Sequence, residues 1–240
     1  MHSPLEQFVI KPMFHINVAN VDISFTQSSL WMMGGIAFAT FFLIALRGKN
    51  TVPTRWQNIP ELFYELVYGM VASQIGDKAS KYVPFIFTVL MTVLMGNFLG
   101  LLPYSFTYTS HIIVTASLAT ICLTIVTLIG IVLHGWHFFS LFLPKGVPMF
   151  MAPLMIMIEV ISYLSRIISL SVRLFANMVA GHTMLKVFAL FSTMFGIGIG
   201  IAPMLINVCF YALELLVALV QAYIFTMLTC IYLRDAVELH

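Results

Sequence analysis

Five ionisable residues, Glu159, Arg166, Arg173, His182 and Lys186, stand in a stretch over 159–190 that is otherwise apolar enough to lie in lipid. A charge at the middle of a bilayer costs on the order of 2.5–3.5 kcal/mol on insertion scales, so such groups mark ion paths or sites. At about 100° per residue on a helix, Glu159, Ser162, Arg166, Ser169, Arg173 and Asn177 fall within roughly 40° of Arg173, and His182 leaves the opposite face. The result is a polar ladder about 27 Å long at ~1.5 Å per residue. Carboxylates and an imidazole can carry protons, whereas a guanidinium does not give its proton up. Arg173 therefore cannot be a relay step, but it can favour an ionised carboxylate beside it. Glu159 is the nearest carboxylate on its stripe, about 21 Å away along the helix. The partner of Arg173 is thus expected from another chain.

Composition sets the medium. The 240 residues are 61% hydrophobic and 8% charged, against about 25% charge in a soluble domain. This is an all-α polytopic membrane protein, and a soluble enzyme or a nucleic-acid binder is excluded. Cys122, Cys209 and Cys230 lie in apolar runs without CxxC spacing and read as small core hydrophobes. His134 and His137 have a spacing that metal ligands use, but interfacial loop histidines are commoner, so no metal is expected. No HExxH, GxSxG, phosphate-loop or dinucleotide motif occurs, so no cofactor is expected.

The elements that position the ladder are about five membrane-embedded helices and one interfacial helix, in a single membrane domain. Residues 1–27 are polar enough to stay outside lipid, and 30–46 form the first span, which also serves as insertion signal. Residues 58–76 are amphipathic, with Asn58 and Glu61 set as a capping box, and are expected in the interface plane. Residues 82–133 carry a two-helix hairpin, with spans at 82–102 and 112–133. Its turn, 103–110, holds tyrosines suited to the interface.

The last part, 149–235, holds two patterns too long for an upright span. Forty helical residues measure roughly 60 Å against ~30 Å of hydrocarbon, so both helices must tilt steeply, bend or lie partly along the membrane. Asn207, Glu214 and Gln221 form a heptad stripe on the second helix. An antiparallel fold about the glycines at 196, 198 and 200 brings His182 level with Glu214, and Arg173 level with Gln221. Five crossings put Arg47, Lys49, Arg55, Lys78, Lys81, Lys145 and Arg234 on one side, the inner one by the positive-inside rule. His182 and Glu214 then lie toward the outer side and Glu159 toward the inner.

The segments SLSVRLFANMVAGH around Arg173, YALELLVALVQAYIF around Glu214, and SPLEQF near the start resemble subunit a of the F-type ATP synthase, over nearly the whole chain. The resemblance implies a stator protein beside a rotating ring of c subunits, with Arg173 facing the ring carboxylate. It implies Asn177 and Gln221 as neighbouring polar positions, Glu159 as the acid of the inward half-channel, and His182 with Glu214 as the outward pair. Ser169, Asn207 and Arg166 are supporting polar residues, Arg166 being equally able to pair with Glu159. The His on the first helix and the Glu on the second are similar to mitochondrial and alphaproteobacterial members. The implied partners are the c-ring, peripheral-stalk b-type subunits, other subunits of the membrane sector, lipid and protons. The implied membrane is the mitochondrial inner or the alphaproteobacterial plasma membrane. An ion-coupled secondary transporter is the other reading of the ladder, although no internal repeat or paired half-helices support it.

Overall fold

A computed structural model describes residues 12–14, 17–18, 21–22, 24–46, 56–76, 79–102, 105–135, 138, 150–194 and 200–238. The expectations for SPLEQF, Arg47, Lys49, Arg55, Lys78, Tyr104, His137, Lys145 and the glycines at 196 and 198 lie outside them. The described chain is helical apart from short strands before the first span. β1 (Pro12–Phe14) pairs antiparallel with β4 (Phe25–Thr26), and β2 (Asn17–Val18) with β3 (Val21–Asp22). These ladders are not visible in the sequence pattern, because two- and three-residue strands carry no periodicity.

Six α-helices follow among the described residues: α1 (Gln27–Ala45), α2 (Asn58–Ile75), α3 (Ala79–Leu101), α4 (Ile112–His134), α5 (Ala152–Met194) and α6 (Ile201–Val237). All except α2 are long and apolar enough to cross a membrane. α1 begins three residues earlier than expected because Thr26 caps it: the Ser29 amide donates to Thr26 Oγ1 at 3.4 Å. The expected capping box of α2 does not form. Gln57 already has helical angles (φ −73°, ψ −24°) and no side chain caps the end. The helix stops at Gly76, in the left-handed region at φ 67°. α5 starts with Pro153 in its first turn, where a missing amide costs nothing. Both α5 and α6 are unbroken, at 43 and 37 residues.

The chain packs as two compact units. One comprises the described residues of Met1–Ile44, Met91–Val114 and Arg173–Tyr223. In it the last part of α5 and the first part of α6 are antiparallel: Phe188 stacks on Phe210 at 4.9 Å, and Ser192 Oγ donates to the Gly200 carbonyl at 2.9 Å. Leu101, Met178 and Ala218 form its central cluster. Residues Phe106–Ser110 are buried there too. Tyr108 of that turn is packed inside protein, at 5% exposure. Gly35 and Gly96 leave its ring a slot that a Cβ at either position would crowd.

The other unit comprises the described residues of Ala45–Leu90, Thr115–Val172 and Ile224–His240. Its core joins Val67 and Val71 of α2 with Val83 and Ile86 of α3, Val126 of α4, and Phe225 and Leu233 of α6. α2 docks on the end of α6 through Arg234 Nη1, which donates to Gln74 Oε1 at 3.2 Å. Its apolar stripe is therefore partly spent on protein, while Leu62 (64% exposed) and Leu66 (38%) stay open.

Candidate functional site

In the first unit, α5, α6 and the turn before α4 build a polar centre. His182 Nε2 lies 3.8 Å from Glu214 Oε1, at the level the hairpin register predicts. Both side chains are largely buried, at 12% and 4% exposure. Glu214 fits because residue 181 is glycine: a Cβ there would stand 2.5 Å from Glu214 Oε1 and 2.8 Å from its Cδ. The sequence reading missed Thr107, whose Oγ1 is 3.1 Å from His182 Nε2 and also 3.1 Å from the Gly100 carbonyl oxygen. Asn97 is fully buried, with Nδ2 donating at 3.3 Å to the carbonyl of Ala218, one helical turn along α6 from Glu214. Tyr211 donates to the Leu101 carbonyl at 3.1 Å.

In the same unit several buried polar atoms have no hydrogen-bond partner among the described residues: Asn97 Oδ1, Thr109 Oγ1, Asn177 Nδ2, Asn207 Oδ1, both Glu214 oxygens and Gln221 Nε2. Buried polar groups are nearly always paired, with protein or with ordered water. A cluster of seven such atoms in one unit fits a wetted interior. Two titratable groups of the turn are poor carriers. Burial pushes Tyr108 up to about 12, so it stays protonated. Burial also lowers the pKa of His111, which stacks on Phe106 at 5.3 Å and stays neutral near pH 7.

Arg173 differs from all of these. Its side chain is exposed on α5, and among the described residues it has no ion pair or hydrogen bond. Gln221, the residue expected level with it, is buried at 5%, and no hydrogen bond joins the two. Ser169 is exposed, and Lys186 is exposed as well.

The second unit holds the rest of the ladder. Arg166 pairs with Asp235 (Nη1–Oδ2 3.5 Å) and more loosely with Glu159 (Nη2–Oε1 4.0 Å). Its guanidinium lies over the rings of Tyr163 and Tyr232, at 5.6 and 4.8 Å. Tyr163 also hydrogen-bonds Thr127. The Glu159 pairing is legible as a heptad step, whereas Asp235, 69 residues away, is not. Glu159 keeps 33% side-chain exposure, so it is accessible as well as paired. His134 Nε2 bonds the Val237 carbonyl at 3.0 Å, and no cluster of three or more metal-ligand residues occurs among the described residues.

Fold and site together define a multi-pass, all-α membrane protein that places, within its apolar helices, a buried His–Glu pair and an arginine without an ion-pair partner among the described residues. Over residues 28–234 the chain matches the family described as ATP synthase A chain. It is 51% identical over 241 residues to ATP synthase subunit a of Rhodospirillum rubrum, covering all of both chains. It is 48% identical over 243 residues to ATP synthase subunit a of Parvibaculum lavamentivorans, covering 98% of this chain and 94% of that one. The chain belongs to the ATP synthase A chain family, the proton-translocating stator subunit of the synthase's membrane sector. It works as part of a complex, with other synthase subunits as partners, and nothing in the match supports a solute carrier.

Proposed function

We propose that this chain supplies two laterally offset, water-filled half-channels to and from the carboxylates of a rotating c-ring, with Arg173 standing between them. The observation that carries this reading is the exposed guanidinium of Arg173, which lacks an acidic partner among the described residues. A charge inside an apolar span is retained at a cost unless it meets a counter-charge. A ring carboxylate would be that counter-charge, held ionised as it passes.

The outward path runs through His182 and Glu214, with Asn207, Asn177 and Gln221 as polar neighbours of the water. The inward path opens at Glu159, with Arg166 as its fixed positive neighbour. Because the arginine holds its proton, protons change paths only by riding the ring. A membrane potential adds about 2.3 kcal/mol per charge per 100 mV and biases the direction.

The subunit is not catalytic alone; ATP chemistry belongs to the soluble head. Besides the ring it meets b-type subunits of the peripheral stalk. The alphaproteobacterial relatives support a bacterial plasma membrane, with the positively charged connectors inside.

Thiol labelling tests the water paths. Single cysteines at 159, 177 and 207 are expected to react with small water-soluble thiol reagents in assembled complexes, and cysteines at the apolar positions 164 and 168 are expected to stay inert. Inert thiols at all three polar positions in active complexes would contradict the half-channels.

A further inference from the structure

We infer that Thr107 is a positioning residue of the outward relay, which fixes the protonation pattern of His182 through a hydroxyl held between the Gly100 carbonyl and the imidazole. This inference rests on the reading of His182 and Glu214 as relay groups.

The geometry is restrictive. Thr107 Oγ1 donates to the Gly100 carbonyl, which can only accept, at 3.1 Å. A hydroxyl has one proton, so with that proton committed Oγ1 can only accept from His182 Nε2, 3.1 Å away. Neutral His182 is therefore held as the Nε2–H tautomer, with Nδ1 bare. The same Nε2 is 3.8 Å from Glu214 Oε1. Thr107 is 7% exposed and cannot swing away freely. Its side chain lies close against the Gly100 backbone, where a Cβ on residue 100 would stand 2.6 Å from Thr107 Cγ2.

The tautomer gives the relay two distinct ends. A proton from water bonds to Nδ1 and forms the imidazolium. The ring then swings its Nε2–H from Thr107 toward Glu214 Oε1 and closes the 3.8 Å gap to hydrogen-bond reach; the Nε2–H bond breaks and an Oε1–H bond forms on the carboxylate, leaving the Nδ1–H imidazole. Thr107 turns its O–H from Gly100 to the bare Nε2. Loss of the Nδ1 proton to water and return of a proton from water to Nε2 resets the ring, and the hydroxyl turns back. Outward pumping runs the same steps in reverse.

The groups facing His182 are Glu214 from α6, Thr107 from the turn and, along its own helix, Lys186; Tyr108 and His111 flank Thr107 in that turn. Without Thr107 Oγ1 the neutral Nε2–H ring and the imidazolium both lose that acceptor, and the charged donor loses the stronger bond, so the imidazolium should form at more acid pH.

The test uses assembled synthase in vesicles, with ATP synthesis followed against the pH of the outer side. Thr107→Val, which keeps shape and loses the hydroxyl, is expected to lower the rate several-fold and move the profile to acid pH. Thr107→Ser is expected to restore both. In a His182→Ala background, Thr107→Val is expected to add nothing. An unshifted profile in Thr107→Val, equal damage from Thr107→Ser, or an undiminished effect without His182 would each overturn the assignment. His182→Ala and Glu214→Leu measured alone keep the two ideas apart: unchanged flux in both removes the relay itself, whereas impaired flux with a silent Thr107→Val removes only the role of Thr107.

Discussion

ATP synthesis and ATP-driven proton pumping are both expected to fall to background in Arg173→Ala, with the complex still assembled. The side chain is exposed and touches no acid of its own chain among the described residues, so its removal takes little from the fold. What is lost is the positive charge that makes each ring carboxylate release its proton before passing, and that keeps protons from crossing directly between the two paths. Synthesis and pumping share that step, so neither direction should survive. Arg173→Lys is expected to be severely impaired as well. A compact, strongly hydrated ammonium on a different stem does not reproduce the planar, weakly hydrated guanidinium. The readout is synthesis and pumping in reconstituted vesicles with matched subunit content. Near-normal coupled synthesis in Arg173→Ala would be fatal to this role.

Glu214→Leu is expected to give the second-largest loss, a fall in proton-driven synthesis of roughly a hundredfold or more, the scale of a lost proton-transfer group. The carboxylate is 4% exposed, its two oxygens lack hydrogen bonds among the described residues, and His182 Nε2 is its near neighbour at 3.8 Å. Leucine removes two buried oxygens that make no hydrogen bond among the described residues and puts apolar volume in their place, a change that need not destabilise the fold. Activity should therefore drop while subunit content and thermal stability hold. Proton flux equal to wild type in a stably assembled Glu214→Leu complex would take the pair out of the pathway.

The parts of this architecture that repeat along a helix were legible from residues alone. Heptad spacing of Glu159, Arg166 and Arg173, and of Asn207, Glu214 and Gln221, identifies two overlong helices. An antiparallel register puts His182 beside Glu214 because a turn of known place fixes which levels meet. The register says nothing of burial, since residues expected at one level can leave their helices on different faces: Arg173 is exposed where Gln221 is buried.

What escaped the sequence lies where periodicity ends. Thr107 sits in a connecting turn, and its contact with His182 depends on how closely that turn packs on Gly100. Asp235 reaches Arg166 from the last turns of α6, which runs on to Val237, two residues past the expected end at 235. The capping box at Asn58 failed because the helical turn already includes Gln57. In each case the deciding term is a tertiary distance or a local dihedral, neither of which residue types encode.

Disulfide cross-linking in the assembled synthase tests the central claim most directly. One cysteine replaces Arg173 and another replaces the carboxylate of a ring subunit, with a cysteine at Ser171 as the reference, since Ser171 is buried and leaves α5 on nearly the opposite side. Oxidation is expected to join position 173 to the ring and to leave position 171 unlinked. A ring link at 171 with none at 173 would show that another face of α5 meets the ring, and Arg173 could not then be the charge that the carboxylates pass.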